Sequence, residues 1–321
     1  MQAKNRNVFF LLLKIIVFAG SGWYIFQHVR SRASVLEDAS RLSECLQSRE
    51  AQEWLLLCLM GMILNWSLEV VKWKKLVTPI EPITFFNATK SVLTGVTSSF
   101  FTPNRVGEFA GRIVHLDEGY RIRGVLAAFV GSSAQLLVTL QLGLLAVTFS
   151  LSQFYPDAVS LYWILRIVML FSIISLFFLW IKIPKLSLFF ERVQWLKKYR
   201  EYGSVFSLYA HKELVFVYAL SLLRYLVFCS QQYLLFKAFQ VDMDYLVCLK
   251  LTAISFLVLT VIPSIAFGEL GIRGGVNLAL FGTVTGDTPA ILLVTFALWM
   301  INLAIPALMG AMAILYIRIR K

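Results

Sequence analysis

Six apolar runs, over residues 8–26, 54–71, 124–149, 159–181, 214–236 and 290–317, dominate the chain. Each is long enough to cross a hydrocarbon core, which takes about 20 apolar residues in a helix, with a range of about 17–25. Lipid offers no hydrogen bonds to an exposed backbone, so spans of this length must be helices that pair their own N–H and C=O groups. The expected fold class is therefore all-α, a polytopic transmembrane helical bundle. Composition agrees: 59% of the 321 residues are hydrophobic and 15% are charged, against about 25% charged in ordinary soluble domains.

The balance of 30 Lys+Arg against 18 Asp+Glu gives a formal charge of +12. These basic residues sit in loops between apolar runs, the pattern of the positive-inside rule, and not on one stripe as nucleic-acid binding needs. No nucleic-acid partner is expected. Cys45, Cys58, Cys229 and Cys248 show neither CxxC nor zinc-ligand spacing, which leaves no disulfide framework and no metal site. HExxH, P-loop, GxSxG and GxGxxG motifs are absent, so no catalytic residue, cofactor or enzymatic activity of its own is assigned. Lys14 interrupts the first run and no A-x-A site follows it, so that run is read as a retained anchor.

Loop charges set the threading. Segments 153–160 and 286–289 contain no Lys or Arg, whereas 182–212 contains seven, and Arg318, Arg320 and Lys321 end the chain. The first two belong outside and the last two inside, with both termini cytoplasmic and the chain in the cytoplasmic membrane. The loop 27–53, with Arg30, Arg32, Arg41 and Arg49 outside, runs against the rule. Parity then requires that 77–123 start and finish inside and that 240–289 start and finish outside. Two re-entrant broken-helix hairpins, 84–112 and 246–283, satisfy this, and so do two pairs of short complete spans. The organisation expected is one membrane domain over 1–321, with a first repeat over 54–150 and a second over 213–317.

The two hairpins carry matching polar residues. Pro103 is followed by Gly107-Glu108 and Arg112, and Pro263, 160 positions later, by Gly268-Glu269 and Arg273. Each is Pro, a spacer, then Gly-Glu-x-x-x-Arg. With opposite sidedness this reads as an inverted repeat, an arrangement in which broken helices of secondary transporters form a midplane site. Proline ends or kinks a helix and glycine tolerates unusual dihedrals, so Pro103, Gly107, Pro263 and Gly268 are the expected helix breaks. Glu and Arg four apart share a helix face, and each Glu can pair with its own Arg or with that of the other half. The pairs are either structural locks or a site for an anionic ligand, because charge at membrane depth usually faces a functional cavity and the guanidinium fork suits phosphate.

The candidate binding residues are Arg105, Glu108, Arg112, Arg224, Glu269 and Arg273. Arg224 lies near the middle of its span, with Gln231 and Gln232 following on the same span, and Arg105 sits beside the Pro103 break, where it binds phosphate or caps the hairpin. Gln135, Gln141 and Asn302 read as interhelical hydrogen-bonding groups, whereas Glu69 and Arg166 are close enough to span ends to snorkel. Asp242-Met-Asp244 has the form of a metal-binding DxD without a nucleotide-binding domain around it. His115, Asp117 and Glu118 read as a solvated connector, and 35–52 as an amphipathic surface helix.

Spans in this order, with Thr102-Pro103-Asn104-Arg105-Val106-Gly107-Glu108-Phe109-Ala110-Gly111-Arg112 in one half and the Pro263 to Arg273 motif in the other, resemble the lysylphosphatidylglycerol synthase transmembrane (flippase-like) family. The resemblance covers nearly the whole chain. It implies translocation of a lipid, either anionic, aminoacylated or polyprenyl-phosphate linked, between leaflets by alternating access. The arginines would hold the phosphate and Glu108 and Glu269 would neutralise them in the empty state. In relatives with a C-terminal synthase domain that domain makes the lipid; this chain is expected to be a stand-alone member. The alternative is a non-transporting anchor or regulator of a lipid-modifying or glycosyltransferase partner, and a third class is an enzyme acting on lipid phosphate or sugar.

Overall fold

A computed structural model describes residues 47–100, 102, 105–154, 159–262 and 266–315. The first apolar run, most of the stretch 35–52, Pro103, Pro263 and the basic C-terminal residues lie outside the described residues. The main helices are α1 (Arg49–Val77), α2 (Phe85–Phe100), α3 (Gly107–Ile113), α4 (Arg121–Phe154), α5 (Val159–Ile181), α6 (His211–Ala238), α7 (Tyr245–Val261), α8 (Ala266–Phe281), α9 (Thr288–Trp299) and α10 (Ile305–Leu315). Short helical turns connect α5 to α6. The described residues contain no strand, and the chain is an all-α polytopic membrane protein.

Among the described residues five helical stretches are long and apolar enough to cross a membrane: Arg49–Val77, Glu118–Ser150, Tyr162–Ile181, His211–Ala238 and Thr288–Ala313. They coincide with five of the six apolar runs. α5 shows why lipid is the solvent: Trp163, Ile164, Ile167, Phe171, Phe178 and Leu179 are all exposed, an apolar surface no water-facing helix sustains. α1 starts earlier than expected. Ser48 Oγ accepts the Ala51 N–H at 3.2 Å, so residues 49–52, expected to close a surface helix, instead form the first turn of the span.

The last span is interrupted by a π-helical turn over Met300–Ala304 just before Pro306. Proline lacks the N–H that would reach Asn302 and its ring crowds that carbonyl; widening the helix by a residue per turn relieves the clash. α6 ends in a Schellman motif, with Gln240 N–H on Lys237 O at 3.0 Å, Val241 N–H on Phe236 O at 2.9 Å and Gln240 left-handed at φ 57°.

Packing gathers the chain into two compact units, each discontinuous in sequence. The first holds the described residues up to Met62, those from Phe100 to Arg105 and those from Phe228 to Ile305. Its core includes Leu235, Phe236, Phe281, Ile291 and Val294, and a buried hydrogen-bond chain links three helices: Ser255 of α7 donates to Asn277 of α8 at 2.7 Å, which donates to Thr295 of α9 at 2.9 Å. The second unit holds Ile63–Ser99, Val106–Val227 and the described residues from Pro306, around Trp73, Leu76, Val130, Leu214 and Val217.

Within the second unit α2 is gripped on two faces by close backbone approaches. A Cβ on Gly111 of α3 would lie 2.5 Å from Thr94 O and 2.7 Å from Gly95 Cα. One on Gly310 of α10 would lie 2.1 Å from Leu93 O, and beside it Thr97 Oγ1 donates to Ala307 O at 2.7 Å. Small residues at such crossings are how membrane helices associate where no hydrophobic force distinguishes protein from lipid. α3, at seven residues and about 1.5 Å per residue, is too short to cross a bilayer by itself.

Candidate functional site

α1 places Asn65, Glu69 and Lys72 at spacings of four and three, one stripe along one helix face. α3 brings Glu108 and Arg112 to that stripe, and α6 brings Ser221 and Arg224. The Glu69 carboxylate is the hub. Its Oε1 accepts from Arg112 Nη2 at 2.6 Å, and its Oε2 from Lys72 Nζ at 2.7 Å and Arg224 Nη1 at 2.8 Å. Arg112 Nη2 also donates to Glu108 Oε1. Arg224 Nε donates to Asn65 Oδ1 at 2.8 Å, and Lys72 Nζ reaches Ser221 Oγ at 3.4 Å. Two tryptophans seven apart on α1 flank the hub: the Arg224 guanidinium lies 5.1 Å from the Trp66 ring centroid and that of Arg112 5.6 Å from Trp73, each within reach of a cation–π attraction.

Three cations thus face two carboxylates, with the Glu69, Lys72 and Arg112 side chains only 2–3% exposed. Burying charge is unfavourable unless every member is paired, and the hub meets that condition for Glu69. Arg112 is the exception: its buried Nε finds no hydrogen-bond partner. Glu108, 28% exposed, and Arg224, 15% exposed, are where the cluster opens to its surroundings.

The first unit holds a second cluster. Glu269, in the first turn of α8 where the helix dipole favours a carboxylate, accepts from Arg273 Nε at 2.9 Å and from Arg105 Nη2, which lies 3.0 Å from both carboxylate oxygens. Among the described residues two cations here meet on one carboxylate. Arg105 takes a left-handed φ of 58°, a conformation that is uncommon for a residue with a side chain. Its side chain is the most exposed of the three, at 42%.

Residues 11–313 match the sequence model of the lysylphosphatidylglycerol synthase TM region. The chain belongs to that family. No curated protein and no solved structure matches it.

In this lysylphosphatidylglycerol synthase TM family member all six candidate binding residues sit in the two clusters. Arg112, Glu108 and Arg224 meet in one; Arg105, Glu269 and Arg273 meet in the other. Each Glu pairs with its own Arg four residues on, and Glu269 also takes an arginine from the other motif. Of the expected breaks, Gly107 opens α3 after the interruption that follows Phe100, and Gly268 lies in the first turn of α8; no described glycine has positive φ, and between α2 and α3 the left-handed residue is Arg105. Pro103 and Pro263 lie outside the described residues.

Glu69 does not snorkel to a span end; it is the buried hub of the larger cluster. Lys72, three residues further along the same helix, is buried with it. The pattern of the sequence does not single out Asn65, Lys72 or Ser221 as site residues, although Asn65, Glu69 and Lys72 form a polar stripe on one face of the otherwise apolar α1. Gln231 and Gln232 lie in the other unit from Arg224; Gln231 donates to Cys58 O at 2.9 Å, tying α6 to α1. Gln141 is interhelical as expected, donating to Ile173 O at 2.9 Å and accepting from Tyr218 at 2.6 Å.

The Asp242-Met-Asp244 carboxylates have structural employment. Asp244 caps α7, accepting the Leu246 and Val247 N–H groups at 2.9 and 3.0 Å. The hydrogen bond from Lys237 holds the exposed Asp242 carboxyl below the usual carboxylate range. Asp244→Ala is expected to lower stability by about 1 kcal/mol, the usual value of such a cap, read as a modest fall in melting temperature. His115 is not solvated but half-buried, its Nε2 3.0 Å from Thr94 Oγ1, and Glu81 accepts the Asp117 N–H at 3.0 Å, which pins the connector.

Proposed function

We propose that this protein moves a phosphate-bearing lipid between the leaflets of the cytoplasmic membrane, by alternating access and without chemistry of its own. The observation that supports the reading best is the larger cluster, where among the described residues three cations meet two carboxylates around Glu69; Arg105 and Arg273 meet on Glu269 in the other cluster. A structural lock gains nothing from an unmatched cation. A site that takes an anion for part of its cycle requires one, and the planar donor fork of arginine suits phosphate oxygens. Under this reading the hairpins 84–112 and 246–283 are re-entrant elements of an inverted repeat, and both termini are cytoplasmic.

Reconstitution in liposomes with leaflet-selective labelled lipids tests it. Wild type is expected to speed transbilayer exchange of one class among anionic, aminoacylated and polyprenyl-phosphate lipids. Arg273→Gln and Arg105→Gln, each leaving Glu269 with one arginine, are expected to cut that rate at least about tenfold, the effect of roughly 1.4 kcal/mol of lost phosphate binding. Folded wild-type protein that exchanges no class would sink the transport reading in favour of an anchor for a lipid-modifying partner.

A further inference from the structure

The two carboxylates of the larger cluster are not equivalent. Glu69 is sealed in and accepts from three cations; Glu108 is partly exposed and contacts one, Arg112. Both carboxylates sit on the same nitrogen, Nη2, of Arg112, while its Nε, equally buried, donates to nothing. Nε and Nη2 form one edge of the guanidinium, the edge that takes two oxygens of a phosphate side by side. That edge is half used. Gly95 of α2 leaves the space in which the Arg112 and Glu108 side chains lie, since a Cβ there would fall 2.9 Å from Arg112 Cγ and 3.4 Å from Glu108 Cγ.

We propose that Glu108 is a placeholder for a phosphate oxyanion: an incoming lipid phosphate displaces it from Arg112 and spans the Nε–Nη2 edge, while Glu69 stays as the fixed counter-ion that holds Arg112, Arg224 and Lys72 in position. The exchange conserves charge, because a phosphodiester monoanion replaces one carboxylate. It also satisfies the one orphaned donor of Arg112, which the carboxylate at Nη2 leaves bare. Glu108 is free to leave because it sits on the short helix α3 at the open side of the cluster; Glu69, in mid-span on α1, is not. This inference rests on the reading of the ligand as a phosphate-bearing lipid.

The test uses wild-type protein in detergent micelles, labelled by carbodiimide and an amine, with modification at Glu108 and Glu69 quantified by peptide mass spectrometry. Dioctanoyl phosphatidylglycerol is expected to raise Glu108 labelling several-fold, to leave Glu69 unlabelled, and to be matched by neither dioctanoylglycerol nor inorganic phosphate. An equal rise with inorganic phosphate would overturn the lipid as the source. Unchanged or reduced Glu108 labelling with the lipid would overturn the exchange itself. Glu108→Gln, which removes the competing carboxylate, is expected to tighten phosphatidylglycerol binding by up to about tenfold, and Arg112→Lys, which loses the fork, to weaken it by a similar factor; weaker or equal binding by Glu108→Gln would count against the proposal. Release of Glu108 without transbilayer exchange in liposomes would remove the transport reading and leave this one standing, and exchange without release would do the reverse.

Discussion

Glu69→Gln is expected to be the most damaging single substitution in the membrane-spanning part of the chain. The change is nearly isosteric, so any loss reports charge and not shape. Among the described residues Glu69 is the one carboxylate shared by Arg112, Lys72 and Arg224, and its removal leaves those cations with Glu108 alone among the described carboxylates of the cluster. Breaking a buried pair by removing one partner costs about 3–5 kcal/mol, a large fraction of a typical net stability of about 5–15 kcal/mol. The measurement is the melting temperature and the monodisperse yield after detergent extraction. Combining Glu69→Leu with Lys72→Met, which removes one charge of each sign, should recover part of the loss, because an apolar replacement of a buried pair is often tolerated. A Glu69→Gln melting point within about 2 °C of wild type, under about 1 kcal/mol, would mean that the cluster is solvated in the membrane.

Gly111→Val is expected to be nearly as severe, for a steric reason. The first added atom would meet Thr94 O at 2.5 Å, Gly95 Cα at 2.7 Å and Ser98 Oγ at 2.7 Å, and two of these are backbone that no rotamer change can move. α3 must then withdraw from α2. Overpacking of this kind costs about 1–3 kcal/mol or more, and here the withdrawal also drags Glu108 and Arg112 from Glu69, so lipid exchange should fall further than stability alone accounts for. Gly119→Ala is the control, since a Cβ there meets nothing within 4 Å; its effect should stay within about 0.5 kcal/mol. Equal melting points for the Gly111 and Gly119 variants would show that α2 and α3 do not pack at this crossing.

Family membership adds to these expectations only the general setting, a membrane protein of the lysylphosphatidylglycerol synthase TM region; the particular residues come from the geometry. The two clusters differ in a way the matching motifs conceal. Glu108 and Glu269 occupy equivalent places in Gly-Glu-x-x-x-Arg, yet Glu269 is the buried hub of its cluster, whereas Glu108 is the outlying carboxylate of the other, whose hub, Glu69, comes from a helix outside the motif.

Much of the architecture was legible in the chain by itself. A bilayer forces each long apolar run into a helix that satisfies its own backbone, so length and hydropathy located five spans in the described residues, and the Pro and Gly-Glu-x-x-x-Arg signatures marked both polar clusters. Exact roles within those clusters were not legible, because pairing between charges is a matter of where helices cross and not of spacing along one of them. Glu69 and Lys72 lie near the end of an apolar run, where sequence predicts that Glu69 snorkels; only the close α2–α3 crossing at Gly95 and Gly111, and the convergence of α1, α3 and α6, bury them together. Arg105, two residues after Pro103, fits either a phosphate-binding or a capping role by sequence, and only the tertiary structure sets it on Glu269, 164 positions away. Local periodicity determined the helices; desolvation, which depends on every neighbour at once, decided which charges must meet.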